Sequence, residues 1–509
     1  MSALQERQSQ APRDETPGQP QGGAPRAESV ARGLPGRYAA IAVGSALLLI
    51  ASVVGLPAGP MHGQPLAGVA AALSTALGLA LLILAALPQP PRAVARLTAW
   101  LAARYARWSW LRGTTLTLTL ALAAGTTATF AGSAYFALKA PPAQGYLTDI
   151  ISFGETDARL TLEGRNPYTS DAVFWTTLRR YPAAMATPFQ RGRFSGSPDF
   201  PSVAYLYQVQ REDAAQPSQP HPEFDPRTLH SYPALSFLVY APLLALGVDN
   251  ILWLHVIVYW ALYAWLIWLA PLGWRGWSAL AAGTALTTVG GSLFTANDVF
   301  CVVFILTAWR YRHHLWRSAA LLGLGCAFKQ YAWFFAPILL AEALALRGWG
   351  DALRRGLIAL GAFLAPNLPF IIASPRAWLT SLWLPMSGAM FQQGVGLIAL
   401  SMDHALPYLP PPLYSGLEVM ALVAMTALVW RHGRTLGDAA PLLALVPLFF
   451  AGRVFPSYFA FAPWLAIYAI NTLGRPDARW AASLFSVRRG GQPNPSEWQP
   501  LAAAGEHGD

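Results

Sequence analysis

Cysteine, lysine and charged residues in general are scarce in this chain of 509 residues. The two cysteines, Cys301 and Cys326, both fall in apolar runs, so their positions do not indicate a disulfide framework. Charged residues make up 12%, which is about half the usual share, whereas hydrophobic residues make up 54% and the mean hydropathy is +0.36. This composition excludes a single soluble core and is typical of a membrane protein.

Three motifs that would identify common chemistries are also missing. The sequence has no His and Cys residues at zinc-site spacing, no glycine-rich loop that resembles a nucleotide cradle, and no Gly-x-Ser-x-Gly elbow. The net charge of +10 would suggest nucleic acid, but most of the excess arginine lies in short loops between apolar runs. Arginine in that setting indicates orientation in a membrane, so we expect no nucleic-acid partner.

Long apolar runs are abundant, and many approach the 17–25 residues that a spanning helix needs. A polar tail, 1–37, precedes the first run and is predicted to be disordered. We find no signal-peptide cleavage site, so residues 38–57 are interpreted as a retained signal-anchor span. A second span at 66–87 follows a short loop without Arg or Lys.

The arginines predict which loops face the cytoplasm. Loop 88–113 holds five arginines and no acidic residue, so it and the N-terminal tail are expected inside. The third span, 114–138, then places residues 139–232 outside. This segment carries 10 of the 25 acidic residues and is rich in Pro and Gly, as expected of a folded external loop.

The apolar stretch 234–247 is interpreted as a half-inserted external helix, because a full span there would invert every later loop. This choice keeps every later arginine-rich loop inside, together with the C-terminal tail, 474–509. The later spans are predicted near 251–271, 278–293, 298–311, 318–330, 332–346, 357–373, 413–430, 438–451 and 457–473. The fold class is thus an all-α polytopic membrane protein of about twelve spans. Its parts are an N-terminal group of helices (38–138), an external loop with its juxtamembrane helix (139–250) and a bundle (251–473).

Lys329 is one of only two lysines and lies within an apolar run, 319–340. A cation at membrane depth costs several kcal/mol unless it faces a polar cavity or a partner. One reading is a lysine near a helix end that reaches the headgroups. The other is a cation that holds an anionic group of a substrate, at the outer tip of a hairpin formed by 318–346.

Several polar residues join Lys329 on the predicted outer side, among them the pair Asn297-Asp298 and Arg453. In the external loop, Asp149 lies close to the membrane plane, and Glu155 and Asp157 follow on a predicted short helix. A carboxylate there could act as general base towards a hydroxyl. Glu155 and Asp157 could instead ligate a divalent cation. Both readings stay open at this point.

Four stretches occur in a fixed order along the chain: Asp149 with Gly164-Arg165-Asn166-Pro167-Tyr168, Ser231-Tyr232-Pro233, Asn297-Asp298, and Gly323 to Lys329. Together they resemble segments of the membrane glycosyltransferases with the GT-C fold, most closely the bacterial polyprenyl-phosphate-mannose-dependent mannosyltransferases. The chain has Ala234 where that group has a second proline, and Gln330 where a proline is common after the lysine.

The resemblance implies inverting transfer of a sugar, such as mannose, from a polyprenyl-phosphate donor to an acceptor hydroxyl on the outer face. Asp149 would be the general base, and Lys329 with Arg453 would stabilise charge on the leaving phosphate. The candidate substrate-binding residues are polar positions in or beside the four stretches: Arg165, Asn166, Tyr168, Tyr232, Asn297, Asp298 and Gln330.

The expected partners are the lipid-linked donor, a lipid, glycan or protein acceptor, and the lipids of a bacterial plasma membrane. No cofactor is expected, apart from the divalent cation considered at Glu155 and Asp157. Two other functions remain open. A transporter or flippase would use Lys329 to bind an anionic substrate, but should show an internal repeat, which we do not find. A ligase or polymerase of lipid-linked glycans should carry its main external loop later in the chain.

Overall fold

The computed structural model describes residues 24–55, 61–91, 96, 107, 109–170, 173–181, 187–196, 199–215, 230–286, 293 and 296–473. The predicted C-terminal tail and the first 23 residues of the predicted N-terminal tail lie outside this part of the chain. What is described is mostly helical.

The helices before residue 250 are α1 (Ala24–Val54), α2 (Pro65–Ala86), α3 (Ser109–Lys139), α4 (Pro142–Gly145), α5 (Asp149–Leu162), α6 (Val173–Arg180), α7 (Val203–Ala215), α8 (Leu235–Leu238) and α9 (Ala241–Ala245). The next are α10 (Leu252–Leu269), α11 (Arg275–Thr284), α12 (Asp298–Arg310), α13 (Leu315–Phe328), α14 (Phe335–Arg347), α15 (Trp349–Ala373) and α16 (Pro375–Trp383). The last are α17 (Ile398–Met402), α18 (Pro411–Leu436), α19 (Ala440–Leu443), α20 (Pro456–Ala460) and α21 (Ala462–Thr472). Two short strands, β1 (Gln393–Gly394) and β2 (Arg453–Val454), pair in parallel.

Five segments of the described chain are long and apolar enough to cross a membrane: Gly36–Val54, Pro65–Ala86, Leu252–Leu269, Trp349–Ala373 and Pro411–Leu443. Two of them present large apolar side chains outwards along their length, such as Leu353, Leu357 and Ile372 on α15. Exposed apolar surface of this kind marks an interaction site or contact with lipid. The structure thus confirms a mostly helical chain with helices that could cross a membrane, as a helical membrane protein requires.

Several predicted boundaries need correction. Helix α1 begins at Ala24, so residues 24–37 are helical instead of belonging to a disordered tail. The predicted span 438–451 is broken into a 3₁₀ turn, the single-turn helix α19 and a second 3₁₀ turn at Pro447–Phe450. The predicted external helix 234–247 is two short helices, α8 and α9. For span 278–293, the described helix α11 ends at Thr284, and most of 287–295 lies outside the described residues.

A break in the helix at Lys329, the predicted tip of the hairpin 318–346, separates α13 from α14. Each packs mainly on other helices. Helix α13 packs on α12 and α15, and α14 packs on α18 and α15. Gly323 permits the close approach of α13 to α15, because a Cβ atom there would lie 2.2 Å from the carbonyl oxygen of Ala359. Helix α21 lies at the centre, with every residue from Ala462 to Asn471 buried.

The two ends of α2 lie beside different polar residues. Beside its first residues, Asp403 accepts hydrogen bonds from His62 and from the backbone N–H of Gly63. Beyond its last residues, Arg37 donates to the carbonyl oxygens of Ala85 and Leu87. A helix of 22 residues is about 33 Å long. Asp403 and Arg37 therefore lie near opposite ends of this helix.

Candidate active site

Asp149 is the first residue of α5, where a negative charge interacts favourably with the helix dipole. Its Oδ1 accepts a hydrogen bond from the backbone N–H of Ile150 at 2.8 Å. Its Oδ2 accepts one from the backbone N–H of Thr187 at 3.2 Å. Both carboxylate oxygens therefore have a donor, which fixes the group in one orientation.

Asp149 lines a small cavity together with other polar residues and one histidine. These polar lining residues include Asp149, Thr187, His230, Tyr232, Asn297 and Arg453. The cavity volume is about 20 Å³, which is room for about one water molecule. Binding of a sugar would require the walls to move apart.

The paired strands β1 and β2 hold Arg453 at this cavity. Gln393 lies opposite Arg453 in the pair, and Gly394 lies opposite Val454. Gly394 has φ +149°, and a Cβ atom there would lie 2.0 Å from the carbonyl oxygen of Val454. Only glycine fits this position without a backbone shift. The close pairing of β1 and β2, which places Arg453 at the cavity, thus requires glycine at position 394.

Arg453 reaches Asp149 through a shared neighbour. Its Nη2 donates to Oγ1 of Thr187 at 3.0 Å, and the backbone N–H of the same threonine donates to Asp149. Nη1 contacts the sulfur of Met390. Nε has no hydrogen-bond partner among the described residues. One buried N–H donor of the guanidinium thus remains without a protein partner.

Burial raises the pKa of the Asp149 carboxyl above its usual range. The residue keeps some exposed surface, but protein atoms surround the carboxyl group itself. The N–H of Thr187 and the charges of Arg453 and Lys329 oppose this rise in pKa without cancelling it. A carboxylate with a raised pKa is a stronger base than one in water, which suits removal of a proton from a hydroxyl.

Lys329 is buried beside the cavity and pairs with Asp298. Its Nζ lies 2.5 Å from Oδ1 of Asp298, 5.2 Å from the ring centre of Tyr232 and 5.4 Å from that of Tyr458. Tyr232 lines the cavity, whereas Lys329 is not among its lining residues. The predicted cation, Lys329, thus has Asp298 as its counter-ion. It lies next to the ring of Tyr232, which lines the cavity.

The segment 230–232 forms one wall of the cavity and is fixed by side chains from three other elements. His230 contacts Asp157 of α5. Gln330 donates to the carbonyl oxygen of Ser231 at 2.5 Å. Tyr168 donates to the carbonyl oxygen of Tyr232 at 2.8 Å. Two of the predicted substrate-binding residues, Gln330 and Tyr168, therefore position backbone at the site.

The Gly-Arg-Asn-Pro-Tyr stretch divides by role. Oδ1 of Asn166 accepts from the backbone N–H of Tyr168 at 3.0 Å and so sets the turn that buries the tyrosine. Arg165 is exposed and contacts Glu163 and Ser170, away from the cavity. Of this stretch, only Tyr168 reaches the wall of the site.

Ala234, which stands where the resembling glycosyltransferases have a second proline, makes a backbone hydrogen bond. Its backbone N–H donates to Oδ1 of Asn367 at 2.9 Å. A proline has no N–H and could not make this bond. Asn367 also accepts from the indole of Trp378. The bond ties the end of segment 230–232 to α15.

Glu155 and Asp157 do not share a site. Residues two apart on a helix point to different faces, and Glu155 pairs with Arg159 at 2.7 Å and Arg180 at 3.3 Å, whereas Asp157 pairs with His230. Within the described residues, no three His, Cys, Asp or Glu side chains converge on a point that could hold a metal ion. The placement of these carboxylates gives the metal reading no support.

Thr187 and His230 were not predicted from the sequence. Thr187 comes from the folded loop, and nothing in its local sequence indicates that its N–H reaches Asp149. His230 directly precedes the Ser231-Tyr232-Pro233 stretch, and that proximity was an available signal.

The search of family models, of curated proteins and of solved structures found no match to this chain. Its function is therefore inferred from the chemistry of the site and the resemblance of its motifs.

Proposed function

We propose that the chain is an integral-membrane glycosyltransferase that moves a sugar, such as mannose, from a polyprenyl-phosphate donor to an acceptor hydroxyl, with inversion. The observation that carries the proposal is the cavity, which is lined by both Asp149 and Arg453. Inverting transfer needs one base for the incoming hydroxyl and one cation for the leaving phosphate. The cavity offers both groups.

In this reaction Asp149 accepts the proton of the acceptor hydroxyl as its oxygen attacks the anomeric carbon. The bond from that carbon to the phosphate oxygen breaks, and the polyprenyl phosphate leaves with the bonding electrons. Arg453, through the N–H groups that it aims at the cavity, stabilises the charge that builds on this phosphate. Lys329 adds positive potential from behind Tyr232. Asp298 shares its charge and limits that contribution.

The proposed membrane topology has about twelve spans, with both termini in the cytoplasm of a bacterium and the cavity at the outer face. It is supported by helix α13, which separates Lys329, beside the cavity residue Tyr232, from Arg312 in a predicted cytoplasmic loop. A lipid-linked donor would enter from the bilayer, and a lipid, glycan or protein acceptor from the loop side.

The proposal is tested by incubating membranes that contain the protein with labelled polyprenyl-phosphate mannose. We expect the label to leave the donor and to appear in a new lipid, glycan or protein product. A flippase would move the labelled donor across the bilayer with its sugar still attached. Recovery of only intact donor would reject glycosyl transfer from this donor.

A further inference from the structure

A buried acid and histidine lie beside the cavity and have no part in the reaction above. Asp157 on α5 is 0% exposed, and His230 is 5% exposed. Nδ1 of His230 contacts Oδ2 of Asp157. The other ring nitrogen, Nε2, is buried and has no hydrogen-bond partner among the described residues. A buried polar atom without a partner is costly, so its retention calls for an explanation.

Aromatic side chains hold the His230 ring in place. The ring of Tyr168 meets it edge to face at a centroid distance of 5.2 Å, and that of Phe237 does so at 4.9 Å. Tyr168 is itself anchored by its hydrogen bond to Tyr232. With Asp157 on one side and two rings around it, the imidazole has a fixed orientation, so Nε2 has a fixed direction.

Asp149 and Asp157 lie on one face of α5. They are eight residues apart, which is about 12 Å along the helix axis, and Phe153 lies between them at the i+4 position. Asp149, Phe153 and His230 all line the same cavity. The proposed base and the histidine thus line the same cavity, and the histidine contacts Asp157, which lies about two turns along α5 from the base.

In the neutral ring, a proton on Nδ1 directed at the carboxylate of Asp157 leaves Nε2 as an acceptor. An acceptor pairs with a hydroxyl group, and it does not pair with the ionised phosphate of a lipid-linked sugar, which has no proton to donate. A sugar supplies several hydroxyl groups next to the carbon at which transfer occurs.

We propose that His230, oriented by Asp157, binds one hydroxyl group of the transferred sugar through Nε2 and so selects which sugar the enzyme accepts. The inference rests on the proposed glycosyl transfer. His230 is then a substrate-binding residue that moves no proton, and Asp157 is a positioning residue. Tyr168 supports the ring from behind.

The test compares polyprenyl-phosphate mannose with its 2-, 3-, 4- and 6-deoxy forms as donors. In the unchanged protein we expect one deoxy donor to lose about 10- to 100-fold in kcat/KM, because a buried acceptor is left unpaired. In His230→Phe the parent donor should lose a similar factor. The sensitive deoxy donor should change little, so that the ratio between the two approaches one.

Asp157→Asn is the second variant. Its amide can donate to Nδ1 and so favours the tautomer with the proton on Nε2, which then no longer accepts. A hydroxyl group can also accept from such an Nε2–H, so we expect the discrimination between the two donors to be weakened but not lost. His255→Gln is the matched control, because His255 is equally buried and bonds Tyr240, but does not line the cavity. Its discrimination between donors should match that of the unchanged protein.

A structural role for His230 gives a different result. It would lower kcat/KM for every donor by the same factor in His230→Phe, and that outcome would overturn the inference while leaving glycosyl transfer intact. If the unchanged protein transfers sugar from none of these donors, the proposed function fails, and the inference fails with it. His230→Gln, with melting temperature as the check of folding, replaces His230→Phe if the latter does not fold.

Discussion

At the scale of single residues, the site depends on the carboxylate of Asp149, whose pKa is raised by burial and only partly lowered again by nearby N–H groups and positive charges. Asp149, Tyr232, Asn297 and Arg453 could be assigned to one site from the sequence, because positive-inside loops predict which polar residues share a membrane face. Thr187 could not, because its contact with Asp149 is made by the fold of a long loop. The pairing of Lys329 with Asp298 could have been predicted, since both were candidate site residues on the same side of the membrane.

The raised pKa of Asp149 predicts the pH dependence of transfer. The base must be ionised, so kcat/KM is full at high pH and falls as the pH drops through the pKa of Asp149. Because burial raises this pKa, the acid limb should lie above the usual range of aspartate, about 3.9. Initial rates at low donor concentration over about pH 4 to 8 measure it.

Arg453→Met sharpens this measurement. The Arg453 charge lowers the pKa of Asp149, so its removal should move the acid limb to higher pH as well as reduce the rate. A limb at or below the ordinary aspartate value would exclude Asp149 as the base. A limb that moves to lower pH in Arg453→Met would contradict the electrostatics described here.

Variants of the buried pair Lys329–Asp298 distinguish a structural role of Lys329 from a catalytic one. Lys329→Met alone leaves a buried carboxylate unpaired, which costs about 3–5 kcal/mol of stability. In the double variant Lys329→Met/Asp298→Asn no such charge remains, and we expect normal melting but a turnover reduced by less than the roughly 10²- to 10³-fold that a donor in direct contact with the developing charge supplies. Lys329→Arg should recover part of the activity, since a guanidinium differs in shape and reach.

Melting temperature and kcat, measured together, test this prediction. Full activity in the double variant would show that Lys329 serves only to neutralise Asp298. It would leave Arg453 as the one cation at the leaving phosphate.

At the scale of helices and strands, hydropathy predicted some apolar helices within two residues, whereas the helix at the predicted span 357–373 begins earlier, at Trp349. The predicted span 298–311 is the helix Asp298–Arg310, and 251–271 is Leu252–Leu269. It failed at 438–451, where Pro441 and Pro447 each remove a backbone donor and interrupt the helix. It also missed the first turns of α1, because polar residues can extend a helix without raising its hydropathy. The strand pair at Arg453 could not be foreseen from two-residue segments.

The β1–β2 pair predicts a strong effect of a small substitution. In Gly394→Ala the new methyl group meets the backbone of Val454, so the strands must separate and Arg453 must shift. We expect weaker donor binding and lower turnover, measured as KM and kcat. Gly361→Ala on α15 is the control, because nothing lies within 4 Å of its Cβ position. Equal kinetics in the two variants would show that the strand pair does not position Arg453.

At the scale of the whole molecule, the two-ended arrangement of the polar residues explains how one chain can orient itself and build a site. Arg312, Glu342 and Asp438 cluster at one end, and the cavity lies at the other. The sequence predicted this separation through its loop arginines. It could not predict the closed state of the cavity, which depends on packing among segments distant in the chain.

Labelling at the two ends of α18 tests the orientation. Ser415 and His432 are both exposed and lie near opposite ends of this helix, about 25 Å apart along its axis. A cysteine at 415 should react with an impermeant thiol reagent added to intact cells, and one at 432 only after permeabilisation. The reverse pattern would place the cavity at the cytoplasmic face and overturn the proposed topology.

The most direct measurement of the central claim is transfer of labelled mannose from polyprenyl phosphate by the purified protein in lipid vesicles. The unchanged protein and Asp249→Asn should both release the label from the donor, because Asp249 is an exposed carboxylate that pairs with Arg159 away from the cavity. Asp149→Asn should bind the donor yet reduce transfer by at least about 10²-fold. Transfer by Asp149→Asn at the rate of Asp249→Asn would contradict the account.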